Sequence, residues 1–505
     1  MNDLTLTHAT GKPLPAPFHA RHLIGGQFQD SADGAVSERL SPAHAVVVST
    51  AAKGSQVEVD AAVEAARAAL PGWAETTGKA RAAILLRVAD LIEQHAERMT
   101  LLECLETGKP IAQARGEVTG SADLWRYAAS LARTQKGDSH NTLGPDMLGL
   151  VLKEPRGVVS VITPWNFPMW ILSQKLPFAL AAGCTCVVKP SELTPSTTAM
   201  LGELLVQAGL PAGVVNIVLG FGQPVGARMV SHPEVDMVTF TGSSAVGRAI
   251  AAEAGKSLKK VALELGGKNP QVIFPDADLE SAADAVTFGI YFNAGECCNS
   301  GSRIIVHADI AEAFTARVVA LSKQVAFGDP LDEATQVGAI VTPEHNAKID
   351  GFVRAAEAQG ARVALGGGPL VIPGLKGQFY APTIVTHVTA DMAIAREEVF
   401  GPVLSVLTFR TLEEAIALAN DASYGLSAGV WSENVHTCLT FARRVQAGTI
   451  WTNTWMDGFP EVTFGGMKQS GLGREIGSYG LEEFLEVKSV AMRVGRTRAP
   501  WVKTI

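Results

Sequence analysis

Cys298 stands in the run Phe292-Asn293-Ala294-Gly295-Glu296-Cys297-Cys298-Asn299-Ser300-Gly301-Ser302-Arg303, and Glu264 opens the run Glu264-Leu265-Gly266-Gly267-Lys268 upstream of it. A cysteine is a nucleophile as its thiolate, and a carboxylate can take a proton from that thiol or from water. The two glycines after Glu264 let the backbone approach a ligand closely. By chemistry alone Cys297 and Cys298 are both candidates for the attack. The remaining cysteines, Cys104, Cys184, Cys186 and Cys438, are scattered. Their spacing fits neither a disulfide scaffold nor a four-ligand zinc module, so no metal is expected and a reducing compartment, the cytoplasm, is.

A second set of residues suits a nucleotide. Thr241-Gly242-Ser243-Ser244-Ala245-Val246-Gly247 follows a strand-like run and opens a predicted helix, whose leading N–H groups can stabilise a diphosphate. Alone the Gly-xxxx-Gly spacing is a weak sign, since any turn into a helix can show it. Lys189-Pro190-Ser191-Glu192 adds recognition chemistry at another strand end. Lys189 can donate to ribose oxygens and Glu192 can accept from ribose hydroxyls. A 2′-phosphate would be repelled by Glu192, which favours NAD over NADP as cofactor; Lys189 leaves NADP possible.

These groups need a scaffold. Val57 to Leu70 and Ala80 to Met99 read as helices, the second with Ile84, Leu85, Val88, Leu91 and Ile92 on one stripe. From Gly157 the pattern turns to strand, polar turn and helix: strands are predicted at Val158–Ile162, Thr185–Val188, Val214–Val218 and Met237–Phe240. Such repetition implies an α/β fold with a largely parallel sheet, and functional groups at the carboxyl ends of its strands. A second α/β pattern starts near Pro270, with candidate strands at Val272–Phe274, Arg303–Val306 and Pro402–Val406. The junction at Gly266-Gly267 then puts the chemistry at a domain interface. Phe484 to Arg493 alternates like an edge or intersubunit strand.

Size and composition agree with that picture. A chain of 505 residues with 47% hydrophobic residues is too long for one core and has ample material to bury. A net charge of -8 gives no electrostatic reason to expect nucleic acid or an anionic membrane. The N-terminus lacks the apolar core of a secretory signal, and the apolar stretch from Ile171 to Val188 is interrupted by Gln174, Lys175 and Pro177, so a buried segment is expected rather than a membrane span.

Across nearly its full length the chain resembles the NAD(P)-dependent aldehyde dehydrogenase superfamily. The landmarks are Pro164-Trp165-Asn166-Phe167-Pro168, Lys189-Pro190-Ser191-Glu192, Phe240-Thr241-Gly242-Ser243, Glu264-Leu265-Gly266-Gly267-Lys268, the Cys298 run, Glu398-Val399-Phe400-Gly401-Pro402 and Phe464-Gly465-Gly466, in that order. The resemblance implies a Rossmann-like cofactor domain (21–139 and 156–266), an α/β catalytic domain (267–479), a small β oligomerisation element (140–155 and 480–505) and an N-terminal extension (1–20). It places the nucleophile two residues after Glu296, at Cys298. Attack on an aldehyde gives a hemithioacetal, hydride leaves for the nicotinamide, and water hydrolyses the thioester to a carboxylic acid. It assigns Asn166 and the Cys298 main-chain N–H to an oxyanion hole, Glu264 to the base, and Trp165, Lys189, Glu192, Gly242, Ser243, Gly247, Leu265, Gly266, Glu398 and Phe400 to the cofactor. A homodimer or homotetramer is implied, joined through a hairpin near Leu148 to Glu154 and the C-terminal strand.

Glu296 departs from the pattern, which commonly has glutamine there. A charge beside Cys298 disfavours the thiolate unless Glu296 points away or pairs with a cation. The same resemblance puts Phe167, Trp170, Gln174, Tyr291, Trp455 and Phe464 around the acyl group. Gln174 and Phe464 replace tryptophans that enclose a quaternary ammonium in relatives acting on betaine aldehyde, which argues against strict specificity for it. Asp123 and Asp457 would suit an amino-aldehyde or be surface charges, and Gly458 permits a broad mouth. Aromatic, aliphatic and amino-substituted aldehydes all remain open. A coenzyme-A-acylating enzyme is the alternative, opposed by Glu264, whose task is to activate water. A structural, non-enzymatic relative is opposed by the full set of reacting groups.

Overall fold

The computed structural model describes residues 16–495 and 501–502, so most of the 1–20 extension lies outside the described residues. Five parallel strands form the centre of an eight-stranded sheet, in the spatial order Lys260–Glu264, Met237–Thr241, Val158–Ile162, Thr185–Lys189, Val215–Ile217. All five are buried end to end apart from the start of the first, as β-branched runs covered on both faces should be. Antiparallel Gly471–Leu472 closes one edge and the pair His22–Ile24 and Gln27–Gln29 the other.

Chain order reverses between Val158–Ile162 and Met237–Thr241, which are neighbours in the sheet. Connections leave these two strands toward opposite faces, opening a crevice beyond their carboxyl ends. Thr163-Pro164-Trp165-Asn166 follows one strand and Gly242-Ser243 the other. The sequence therefore sets two of its motifs at the switch point because of the strand order, not because they are close along the chain.

A second sheet of seven strands runs Arg362–Leu365, Thr383–Thr386, Val403–Phe409, Arg303–His307, Pro270–Ile273, Ser427–Trp431, Thr449–Thr452, parallel except at its first pair. Only Leu265 to Asn269 separates the end of Lys260–Glu264 from the start of Pro270–Ile273. The segment of Cys298 precedes Arg303–His307, and that of Glu398 precedes Val403–Phe409. Carboxyl ends of the first sheet thus meet amino ends of the second.

Leu485–Arg493 pairs along its whole length with Met147–Pro155, which also pairs with Asp138–His140. The predicted strands are all present. The predicted helix Ala80–Met99 is two helices, Gly78–Gln94 and Ala96–Thr107: His95, at φ -106° and ψ 12°, leaves the helical region while its carbonyl starts the next helix by accepting from Met99 N–H. Apolar periodicity continues through the break and so conceals it. Among the described residues no helix is long and apolar enough to cross a membrane, and no cluster of three or more His, Cys, Asp or Glu is set to hold a metal.

Candidate active site

The two sheets enclose a cavity of about 230 Å³ lined by Pro164, Trp165, Asn166, Thr241, Gly242, Ser243, Glu264, Leu265, Gly266, Cys298, His345, Lys348, Glu398 and Phe400. Ten of the residues singled out in the sequence meet there. Cys298, not its buried neighbour Cys297, faces it. A hydrogen bond with Cys297, burial, and the charges of Cys297, Glu398 and Glu264 all push the Cys298 thiol well above its usual range. It rests as a thiol and needs a base.

Glu264 is buried, and neither of its oxygens has a hydrogen-bond partner. Burial and the charge of Glu475 push its pKa well up, against the pull of Lys175 and Arg474. A carboxyl this poorly solvated is a strong proton acceptor once ionised. Glu475 itself pairs with Lys175, whose ammonium also donates to Thr239 Oγ1 at 3.1 Å. Neither partner stood out in the sequence, because a lysine and a glutamate 300 residues apart carry no local signal.

Asn166 donates through Nδ2 to the carbonyl of Glu296 at 3.1 Å, and that carbonyl also accepts from Asn293 Nδ2 at 3.1 Å. An amide carries two N–H groups. One fixes the side chain and the other is left for the cavity. The main-chain N–H of Cys298 takes part in no hydrogen bond among the described residues. The Glu296 carboxyl points away from Cys298: it is buried, and its Oε1 accepts from Val341 N–H at 3.0 Å. Burial pushes its pKa well up, against the pull of Lys109, Arg39 and the Val341 N–H, which weakens the charge it would set against the thiolate.

A dinucleotide fits the crevice. Ser243 caps the helix Ser244–Gly255, whose first N–H groups open beside Gly242. At Gly266 a Cβ would come within 2.4 Å of Glu398 Oε2, so a side chain there would push that carboxylate out of its place. Gly267 N–H donates to Glu398 Oε1 at 3.0 Å. Gly247 lies against Leu265, where a Cβ would be 2.5 Å from a methyl, so it serves helix packing. Lys189 and Glu192 stand one strand farther along, 3.5 Å apart, and Lys189 also donates to the Pro190 carbonyl. Phe400 adopts φ +61° and is held by His345, whose Nε2 lies 2.6 Å from its carbonyl oxygen. Trp165 meets the edges of both rings. His345 and Lys348 were missed in the sequence. Thr342-Pro343 marks the start of their helix, but not that its first turn faces the cavity.

On the acyl side Phe167 stacks on Phe292 at 5.8 Å, and Phe292 meets Phe288 at 5.1 Å, a line of rings reaching a partly exposed one. Trp170 and Phe464 pack against the core of the first sheet and Gln174 is buried in the helix Pro168–Ala182; none of the three lines the cavity. Two more expected lining residues are elsewhere. Tyr291 is buried in the core of the second sheet with its ring 6.2 Å from Phe327, and Trp455 packs there on Trp451 at 4.8 Å. Tyr291 ends the helix Leu279–Tyr291, so the next side chain, Phe292, turns toward Phe167 instead. Asp123 and Asp457 are exposed.

The same arrangement recurs in known proteins. The model of the aldehyde dehydrogenase family matches residues 28–490. Aldehyde dehydrogenase 1 of Tanacetum cinerariifolium is 42% identical over 95% of this chain and 96% of its own length. Betaine aldehyde dehydrogenase of Bacillus subtilis is 39% identical over 95% and 98%. Among solved structures, an NAD-dependent aldehyde dehydrogenase from Sinorhizobium meliloti superposes with a TM-score of 0.96 at 48% identity, covering 99% of both chains. Betaine aldehyde dehydrogenase from Staphylococcus aureus in complex with NAD+ superposes with a TM-score of 0.94 at 38% identity, covering 96% of this chain and 97% of that one. With likeness of this extent in sequence and in fold, the chain belongs to the aldehyde dehydrogenase family.

Proposed function

We propose that this aldehyde dehydrogenase oxidises an aldehyde to the carboxylic acid with NAD, using Cys298 as nucleophile, Asn166 and the Cys298 N–H as oxyanion donors, and Glu264 as base. The observation that carries the reading is that Cys298 and the unpartnered carboxyl of Glu264 face one cavity together with Asn166. The ionised Glu264 takes the thiol proton, and the sulfur adds to the aldehyde carbon while the second Asn166 N–H receives the developing oxyanion. Bound NAD supplies the hydride acceptor that turns the thiohemiacetal into a thioester. Once Glu264 has passed the thiol proton to solvent it takes a proton from the water that attacks the thioester carbon; the C–S bond breaks, the acid is freed, and the sulfur leaves as thiolate, which regains a proton. Gly242, Ser243 and the helix start would hold the diphosphate, Glu398 a ribose, and Phe400 with Trp165 the ring. Incubation with NAD and propanal, with and without coenzyme A, tests the reading: free propionate in both arms supports it, and an acyl-coenzyme A product overturns it.

The cofactor domain corresponds to 21–139 and 156–266, the catalytic domain to 267–479, and the oligomerisation element to 140–155 with 480–505. Exposed Val487 and Met492 on the strand Leu485–Arg493 support a homodimer or homotetramer. Six unpaired cysteines support the cytoplasm. For the aldehyde, the line of Phe167, Phe292 and Phe288 favours an apolar acyl group over a charged one, since the two carboxylates that would attract an amine, Asp123 and Asp457, are on the surface.

Cofactor choice follows from Glu192. Beside a ribose its charge accepts from free hydroxyls and repels a 2′-phosphate. NAD should exceed NADP in kcat/KM, and Glu192→Gln should lower that preference about tenfold, chiefly by improving NADP. Initial rates with both cofactors at saturating propanal check this. An unchanged ratio would remove Glu192 from the discrimination.

A further inference from the structure

The helix Pro168–Ala182 begins two residues after Asn166 with no cap of its own: Phe167 holds the cap position and makes no side-chain hydrogen bond to it. Helix-start N–H groups lack partners within the helix and, when buried, must find them elsewhere. Here Glu117, from the second turn of the helix Ile111–Thr134, supplies one, accepting from Trp170 N–H through Oε1 at 3.2 Å. Its other oxygen pairs with the Lys109 ammonium, which also donates to Glu103 Oε1 at 3.2 Å. The same ammonium lies 4.4 Å from the centre of the Phe167 ring. Lys109, Glu103 and Glu117 are almost wholly buried, at 1%, 0% and 4% side-chain exposure.

Three ionisable groups kept out of water need a reason for being there, because apolar residues would fill the space at less cost. Two carboxyls face one ammonium. Burial and the charge of Glu117 push the Glu103 carboxyl well up, against the pull of Lys109. The Lys109–Glu117 pair grips the chain on the far side of Asn166 at two points, the ring of Phe167 and the N–H of Trp170. Asn293 Nδ2 holds the Asn166 carbonyl at 3.1 Å. Neither Lys109 nor Glu117 lines the cavity.

We propose that Lys109 and Glu117 are positioning residues that brace the Asn166–Phe167 turn, so that the free Asn166 N–H meets the oxyanion. The proposal rests on the oxyanion role given to Asn166 above. A neutral apolar wall would pack as well but would leave Trp170 N–H unpaired and the turn free to shift. A displacement of about 1 Å in a catalytic group is enough to cost roughly a hundredfold in rate.

Single-turnover NADH formation with propanal tests the brace in a double-mutant cycle of E117Q and N166A. In the wild-type background E117Q is expected to slow acylation about thirtyfold to a hundredfold, with the Kd for NAD and the KM for propanal within about threefold. In the N166A background it should cost less than about threefold, because the group it positions is gone. If E117Q does not accumulate folded, E117D is read in its place: it keeps the charge opposite Lys109 but withdraws the acceptor from Trp170 N–H, and the same non-additive loss is expected. K109R, which keeps the cation over Phe167, should retain most of the rate that K109M loses. An equal cost of E117Q or E117D in both backgrounds, or no cost in either, overturns the brace. A wild-type rate in N166A alone overturns the oxyanion role instead, so the two failures are distinguishable.

Discussion

Cys298→Ala should fold, bind NAD and lose aldehyde oxidation, with turnover down on the order of 10⁴-fold or more, the scale seen when a covalent nucleophile is removed. The expectation has two parts. Alanine removes only a sulfur from a half-buried site at the wall of a cavity, so little packing is lost. No other thiol replaces it: Cys297 is buried and does not line the cavity, and Cys104, Cys184 and Cys186 have thiols pushed up by burial within the cores. Intact-mass measurement after incubation with propanal and NAD, followed by peptide mapping, should show an acyl adduct on Cys298 in the wild type and none in the variant. An adduct on Cys297 would sink the assignment.

The same site gives a pH dependence of known sign. Every cause acting on the Cys298 thiol raises its pKa, so at neutral pH only a small fraction is thiolate, and that fraction grows about tenfold for each pH unit below the pKa. Inactivation by iodoacetamide should therefore quicken steadily from pH 7 to pH 9. A rate already flat at pH 7 would mean that the thiol is ionised at rest and that Glu264 is not needed to activate it.

How much of this was readable beforehand depended on whether the signal was local. Strand–turn–helix units carry their periodicity and their turn residues together, so the parallel sheet and the motifs at its strand ends were legible, including Asn166 after Val158–Ile162 and Gly242 after Met237–Thr241. The switch point that joins them was not, since strand order is a property of the sheet. Glu296 was recognised as a departure, but whether its charge mattered turned on Val341, a main-chain N–H far along the chain. Tyr291 and Phe292 are adjacent aromatic residues, and only the place where the helix ends decides which one reaches Phe167. Lys175, Glu475, Lys109 and Glu117 look like surface charges in sequence. Only the fold shows that they are buried ion pairs.

Glu264→Gln should separate the two halves of the reaction. Glutamine keeps the shape but accepts no proton, and thioester hydrolysis needs a base after the hydride has gone, so steady-state turnover is expected to fall about 10²- to 10⁴-fold. Acylation should keep part of its pre-steady-state NADH burst, because the aldehyde can still be attacked by the fraction of Cys298 that ionises to solvent. Loss of burst and turnover together would assign thiol activation to Glu264 as its main task; unimpaired turnover at neutral pH would remove it as the base. The pH profile supplies a second reading. Since burial and Glu475 hold the Glu264 pKa well above the ordinary carboxylate range, the base form fills in at higher pH than for an exposed glutamate and wild-type kcat should rise with pH, a limb that Glu264→Gln should flatten. Stability runs the other way. A carboxyl with a raised folded-state pKa holds its proton more tightly in the native chain than in the unfolded one, so its contribution is fully present at acid pH and is lost as pH rises through the folded value. Glu264→Gln removes that loss, and its Tm relative to wild type should climb toward alkaline pH, where a buried, unpartnered carboxylate is the costliest thing in the cavity wall.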